Sequence, residues 1–79
     1  MNLVSVQSSN IAQIGFEINR MTSMNAKPIN VLRIVFVSGN TFDYYNVSKQ
    51  DYENFLTAES KGAYFHKIIK NVYSYEKVS

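Results

Sequence analysis

The apolar residues of this chain change their spacing half-way along it, and this change limits the folds that the sequence can adopt. In Ala12–Ile18, Val31–Val37 and Thr41–Tyr45 they recur at every second position or fill both faces, as in β-strands. After Ser48 they recur at every third and fourth position, as in amphipathic helices. The order predicts an α+β fold, a three-stranded antiparallel meander followed by two helices packed on one face (β-β-β-α-α).

The hairpin between the second and third strands has a register that side-chain pairing can decide. We predict a three-residue loop, residues 37–39, whose last residue is a glycine in the left-handed conformation. This loop puts Arg33 opposite Asp43 and Ile34 opposite Phe42, whereas a two-residue turn would oppose a carboxylate to a phenylalanine. Each matched pair contributes about 0.2–1 kcal/mol, so the three-residue loop is favoured.

The connections and helix ends carry their own signals. Asn19–Asn30 contains the only proline and is predicted to be a loop, and Ser74–Ser79 is predicted to be a short tail. Ser48 followed by Asp51 predicts a capping box at the start of the first helix, and Ser60 is the expected cap of the second. The second helix is predicted to bury one stripe of residues, Phe65, Ile68, Ile69 and Val72.

Composition excludes several kinds of protein. The chain has 79 residues, which we interpret as a single domain over 1–79, with no cysteine, one histidine and six carboxylates. Clustered metal ligands are therefore missing, and we expect neither a metal nor another cofactor. His66 has no serine or carboxylate at a recognisable catalytic spacing. We expect no catalytic residues, and the protein is not predicted to be an enzyme.

Size and charge bear on location and assembly. Residues 1–10 have no positive side chain and no long apolar run, and no segment approaches transmembrane length, so we expect no membrane association and a cytoplasmic protein. A chain of 79 residues buries a small share of its surface, which favours a homo-oligomer. The net charge of +2 permits anionic partners without requiring them.

Basic and aromatic residues near the second helix suggest a site for phosphates and bases. Ser60, Lys61 and Gly62 at the helix start could present backbone N–H groups to a phosphate, although a cap and a tight helix packing are the favoured explanation. An ordinary solvated face would likewise explain the lysines. Phe42 and Tyr44 are assigned to the core rather than to a stacking surface. The predicted binding residues are Tyr45, Ser60, Lys61, Gly62, Tyr64, His66, Lys67 and Lys70.

Four stretches form a further pattern by their order and spacing: Val6-Gln7-Ser8-Ser9-Asn10-Ile11, Phe42-Asp43-Tyr44-Tyr45-Asn46-Val47, Ser60-Lys61-Gly62-Ala63-Tyr64-Phe65 and Tyr73-Ser74-Tyr75-Glu76-Lys77-Val78. Together they resemble the KTSC domain, a small module named for its occurrence at the C-terminus of some lysyl-tRNA synthetases. The chain departs from the family where Phe42 replaces the first tyrosine of a Tyr-x-Tyr pattern, and where Ser48 and Ser74 replace prolines.

The resemblance implies nucleic-acid binding, which the synthetase context suggests, and it implies no reaction. Our leading hypothesis is accordingly a non-catalytic module that binds RNA or a small nucleotide. The alternative is a protein-interaction or oligomerising module with a host protein as partner, such as a phage anti-defence inhibitor or a nucleotide sponge, because the module also occurs as a stand-alone bacterial or phage protein.

Overall fold

The computed structural model describes residues 1–21 and 23–79, and in these residues an antiparallel sheet carries the helices on one face. Thr22, within the predicted loop Asn19–Asn30, lies outside the described residues. The elements are β1 (Leu3–Ser5), β2 (Ile11–Arg20), β3 (Ile29–Phe36), β4 (Thr41–Tyr45), α1 (Lys49–Thr57), α2 (Lys61–Tyr64), a π-helical segment (Phe65–Ile69) that continues α2, and β5 (Tyr75–Lys77).

The α+β class is confirmed, but the prediction of three strands is wrong. The described residues form a five-stranded sheet in the order β1-β2-β3-β4-β5. The two additional strands have three residues each, all exposed, so no alternation marks them in the sequence. The predicted tail is paired with β4 along its length, from Tyr45 N, which donates to Ser74 O at 2.8 Å, to Thr41 N, which donates to Ser79 O at 2.9 Å.

The predicted register of the β3–β4 hairpin is confirmed. Arg33 pairs with Asp43 and Ile34 with Phe42, and Gly39 has a φ of 97° at the end of the three-residue loop. Alternation then divides the sheet into two faces. One face packs against the helices, and the other carries Arg33, Asp43 and Tyr45.

The core lies between the sheet and the helices. Its fully or nearly fully buried members are Ile11, Ile14, Leu32, Ile34, Tyr44, Val47, Phe55, Phe65 and Ile69. Two of these, Phe65 and Ile69, were expected in the buried stripe of the second helix. Ile68 and Val72 were also expected there, but they are exposed, Val72 by 63%. The π-helical segment explains Ile68: Lys70 N donates to Phe65 O, five residues back, and the wider turn rotates intervening positions off the buried face.

The helix caps are confirmed, but the capping box is only half formed. Ser48 Oγ accepts a hydrogen bond from Asp51 N at 3.0 Å, and Ser60 Oγ accepts one from Ala63 N at 3.3 Å. The carboxylate of Asp51 does not return to Ser48 N. It accepts hydrogen bonds from the hydroxyls of Tyr64 and Tyr73 instead, and Tyr73 Oη accepts the bond from Ser48 N.

Candidate functional site

A cleft of about 400 Å³ opens on the helix-covered side of the sheet, between the π-helical segment and the β4–β5 edge. Its lining combines aromatic rings with polar side chains: Asn10, Phe36, Asn40, Phe42, Tyr44, Phe65, His66, Lys70, Asn71 and Tyr75. The volume lies in the range of small-molecule sites, which are mostly apolar with a few placed polar groups. This cleft is the candidate functional site.

Aromatic rings form the floor of the cleft. Alternation along β4 turns Phe42 and Tyr44 to the same side, and the pairing of β5 brings Tyr75 beside them. The Tyr75 ring centroid lies 5.9 Å from that of Phe42 and 5.4 Å from that of Tyr44. Phe65 approaches Tyr44 edge-on at 5.6 Å and Phe36 edge-on at 5.4 Å. These spacings are typical of packed aromatic pairs, so the floor is one connected layer of rings.

Polar side chains form the rim, and the main chain fixes two of them. Asn10 O accepts a hydrogen bond from Val37 N, and Asn40 O accepts one from Phe36 N, both at 2.9 Å. These bonds attach the loop before β2 and the residue before β4 to the end of β3. Asn10 Oδ1 also accepts a hydrogen bond from Ser8 Oγ at 3.1 Å. The main chain of both asparagines is therefore fixed beside the aromatic floor, and the Asn10 carboxamide is also held by Ser8.

The opposite wall comes from the π-helical segment and the turn after it, which supply His66, Lys70 and Asn71. The His66 ring packs against Phe65 with centroids 5.6 Å apart. π-Helical turns are rare and occur frequently at functional sites. Here His66, within this turn, and Lys70, directly after it, line the same cleft as the aromatic floor.

Burial, with a smaller contribution from Tyr75, raises the pKa of Tyr44 to about 12. Its phenol is therefore neutral at physiological pH and adds no negative charge to the floor. Lys70 supplies positive charge at the rim, so the cleft combines stacking surface, amide groups and a cation. In the described residues no cluster of three or more histidine, aspartate or glutamate side chains could hold a metal ion.

Only some of the binding residues predicted from the sequence line the cleft. His66 and Lys70 line the cleft, whereas Lys67, on the same helical segment, is exposed and does not line it. Tyr45 lies on the opposite face of the sheet, where its hydroxyl donates to Glu76 Oε1 at 2.9 Å. Tyr64 donates to Asp51 Oδ1 at 3.4 Å and belongs to the contact between the helices.

The segment at the start of α2 has a structural explanation. Ser60 caps the helix, and Lys61 Nζ donates to Ala58 O at 3.3 Å, at the end of α1. A Cβ atom at Gly62 would lie 3.0 Å from Asn10 Oδ1, so the absence of a side chain at Gly62 leaves room for the Asn10 side chain. These three residues do not line the cleft.

Sequence reasoning missed most of the cleft. Phe42 and Tyr44 were assigned to the core, and the structure places them there with part of each ring lining the cleft. The alternation of β4 already indicated that Phe42 and Tyr44 share one face. The third ring of the floor, Tyr75, lies on β5, which was not predicted. The three asparagines come from separate connections, and nothing in the sequence brings them together.

Comparison with known proteins identifies the family. The model of the KTSC domain matches residues 25–73, and this chain belongs to that family. The matched range includes every residue that lines the cleft except Asn10 and Tyr75. In fold, the chain is similar to the crystal structure of a KTSC domain protein from Yersinia pestis, with a TM-score of 0.82 and 30% identity over 99% of this chain and 97% of that one.

Two curated relatives are lysine–tRNA ligases, from Trichormus variabilis and from a Nostoc species. Each is 42% identical to this chain over 48 residues, which is 61% of this chain. The match spans only 9% of each ligase. Within residues 1–21 and 23–79 no helix has the length and hydropathy needed to cross a membrane.

Proposed function

We propose that this domain binds a nucleotide-type ligand, free or as part of RNA, in the aromatic cleft and without turnover. One observation carries the proposal: a floor of packed rings and a lysine open on the same cleft of about 400 Å³. A base has a π-face for the rings, and a phosphate has charge for the lysine. A cytoplasmic location, where RNA and nucleotides occur, belongs to the same proposal.

Stacking is the first contribution to binding. Tyr75 is 58% exposed and Phe42 is half-buried, so these rings offer a ligand more surface than the buried Tyr44 does. Stacking of a base on an aromatic side chain contributes about 1–3 kcal/mol. Because Tyr75 is held by β5, the paired C-terminal strand forms part of this site.

Phosphate contact is the second contribution. Lys70 lines the cleft beside His66, and its side chain is exposed, so that its ammonium group is accessible to a phosphate. The relatives support the same ligand class, since the name of the lysine–tRNA ligases includes a nucleic acid among the molecules they act on. Among the described residues His66 makes no side-chain hydrogen bond to a hydroxyl or carboxylate, which supports binding rather than catalysis.

The proposal is tested by calorimetric titration of AMP, UMP and a short single-stranded RNA into the wild-type protein and two lysine variants. Lys70→Ala should weaken binding about tenfold or more, because a charge-assisted hydrogen bond contributes about 1.5–3 kcal/mol. Lys67→Ala is the matched control, since it removes the same charge three residues earlier in the chain, outside the cleft. Equal losses in the two variants, or no binding by the wild type, would show that the cleft is not the site.

We also propose self-association as a second candidate function, and a separate observation favours it. The edge strand β1 exposes Leu3 and Val4, the latter by 53%, and has no charged side chain, whereas β5 at the other edge has Glu76 and Lys77. Charges on an edge strand discourage pairing with another chain, and β1 lacks them. Antiparallel pairing of two β1 strands about Val4 would join the sheets of two copies.

Sedimentation velocity tests this second candidate. The wild-type chain should sediment as a dimer or larger species, and Val4→Lys should sediment as a monomer. Lys67→Ala again serves as a control for a surface change elsewhere. A wild-type protein that remains a monomer over the accessible concentration range would exclude assembly through β1.

A further inference from the structure

The positive side chains of this protein are dispersed, and only one of them lines the cleft. The chain has eight lysines and arginines, all within residues 1–21 and 23–79, and of these described cations Lys70 alone is in the cleft lining. Binding of a nucleic-acid chain through several phosphates requires a corresponding number of cations along its path. The positions of the other seven lysines and arginines therefore determine how many phosphates of a nucleic-acid chain the protein can contact.

Three of the other cations already have protein partners. Arg20 and Arg33 pair with Asp43, which lies on the face of the sheet opposite the cleft. Lys61 Nζ donates to Ala58 O at the end of α1. Recruiting any of them to a phosphate would break an existing contact, and for the two arginines it would leave a buried carboxylate without its partners.

The remaining lysines lie on four separate elements. Lys27 is in the β2–β3 connection, Lys49 is the first residue of α1, Lys67 is on the π-helical segment, and Lys77 is on β5. None of them lines the cleft. Lys77, which pairs with Phe42 on β4, shares the cleft-side face of the sheet but does not line the cleft.

The rim offers groups that suit the edge of a single base. Among residues 1–21 and 23–79 the side-chain carboxamides of Asn40 and Asn71 make no hydrogen bond, and Asn10 uses only its oxygen, toward Ser8. A carboxamide has both donors and an acceptor, which is the pattern that base edges present. Three such groups stand around one cleft of about 400 Å³.

From these observations we infer that the cleft binds one nucleotide unit, with the base on the aromatic floor beside the asparagines and a single phosphate at Lys70. Further nucleotides of an RNA chain then add no affinity. This inference rests on the proposed function and narrows its ligand class, because a mononucleotide then makes all the contacts that the cleft offers.

A length and salt series tests the inference. AMP and UMP are compared with adenylate and uridylate oligonucleotides of about two, four and eight units by calorimetry at several salt concentrations. The dissociation constant expressed per nucleotide should stay within about threefold across the series. For the longest oligonucleotides, the logarithm of the binding constant should fall with that of the salt concentration with a slope of about −0.7, the value for a single phosphate contact in single strands.

Lysine variants identify which cation is responsible for the salt dependence of binding. Lys70→Ala should remove most of the salt dependence, whereas Lys67→Ala should leave the slope unchanged. Oligonucleotides that bind more than about tenfold tighter per nucleotide than the monomers, with a slope steeper than about −2, would overturn the inference while leaving the proposed function standing. If neither monomers nor oligomers bind, the proposed function fails and the inference fails with it.

Discussion

The guanidinium group of Arg33 holds the carboxylate of Asp43 across the β3–β4 pair, with Nε 2.7 Å from Oδ1 and Nη2 2.9 Å from Oδ2. Arg20 Nη1 contacts the same Oδ2 at 3.3 Å. Asp43 is only 1% exposed although it lies on the face of the sheet that the helices leave open. The arginines therefore cover the carboxylate, and the pair is a structural element separate from the cleft.

Removing the cation should cost more than removing the carboxylate. Arg33→Met leaves the buried Asp43 charge with Arg20 alone, and we expect the free energy of unfolding to fall by about 3 kcal/mol. Asp43→Asn leaves a partly exposed guanidinium that water can solvate, and we expect a loss nearer 1–2 kcal/mol. Urea unfolding at neutral pH measures both. A larger loss for Asp43→Asn would contradict this account of the pair.

The same pair predicts acid sensitivity. Burial alone raises the pKa of Asp43, but the hydrogen bonds and charge of Arg33, with those of Arg20, outweigh burial and lower the pKa below its usual 3.8. Folding therefore favours the carboxylate form. Its contribution to stability is complete above pH 3.8 and is lost as the pH falls through the lower folded value.

Urea unfolding across the acid range checks this pH dependence. The wild type should lose stability as the pH falls below 3.8, and Asp43→Asn should lose less over the same interval. Glu53→Gln is the control for an exposed carboxylate elsewhere in the fold. Parallel curves for the wild type and Asp43→Asn would contradict the assignment.

Tyr73 should contribute to stability by joining the end of the π-helical segment to the start of α1. Its hydroxyl donates to Asp51 Oδ2 and accepts from Ser48 N. Tyr73→Phe removes both bonds, and we expect a loss of about 1–2 kcal/mol in the free energy of unfolding. Tyr64→Phe, which removes one long bond to the same carboxylate, should cost less. Guanidinium unfolding of both variants gives the comparison, and equal losses would refute the special role of Tyr73.

Gly62 and Asn10 should be energetically coupled. Alanine in a helix is favoured over glycine by about 1 kcal/mol, but a Cβ at Gly62 would press on Asn10 Oδ1. We expect Gly62→Ala to be neutral or destabilising alone and stabilising when Asn10→Ala is also present. A double-mutant cycle should give a coupling energy of about 0.5–1 kcal/mol. Additive effects would mean that the close approach has no energetic consequence.

Much of the fold could be predicted because local rules and packing agree. The β3–β4 register followed from charge and apolar pairing, and the helix starts at Ser48 and Ser60 followed from capping. The short edge strands could not be predicted, since their pairing depends on backbone hydrogen bonds and leaves no side-chain pattern. The π-helical turn could not be predicted either, because the apolar spacing that it alters fits an ordinary helix.

The candidate site was less predictable than the fold. His66 and Lys70 were selected from the basic and aromatic sequence around them, but the same reasoning also selected Lys61 and Lys67. Sequence cannot separate these residues, because the π-helical turn decides which side chains reach the cleft, and Lys61 folds back onto Ala58 O. Apart from Phe65 and Asn71, the rest of the lining comes from the loop before β2, from the β3–β4 hairpin and from β5.

The most direct test of the central claim is an amide and aromatic NMR titration of the full chain with AMP and UMP. The account predicts saturable shift changes at residues of the cleft, including Phe42, Tyr75 and Lys70, with none of comparable size at Tyr45 or Lys67. Shift changes centred on Lys61 and Lys67 or on the opposite face of the sheet would contradict it. So would a spectrum that neither nucleotide changes.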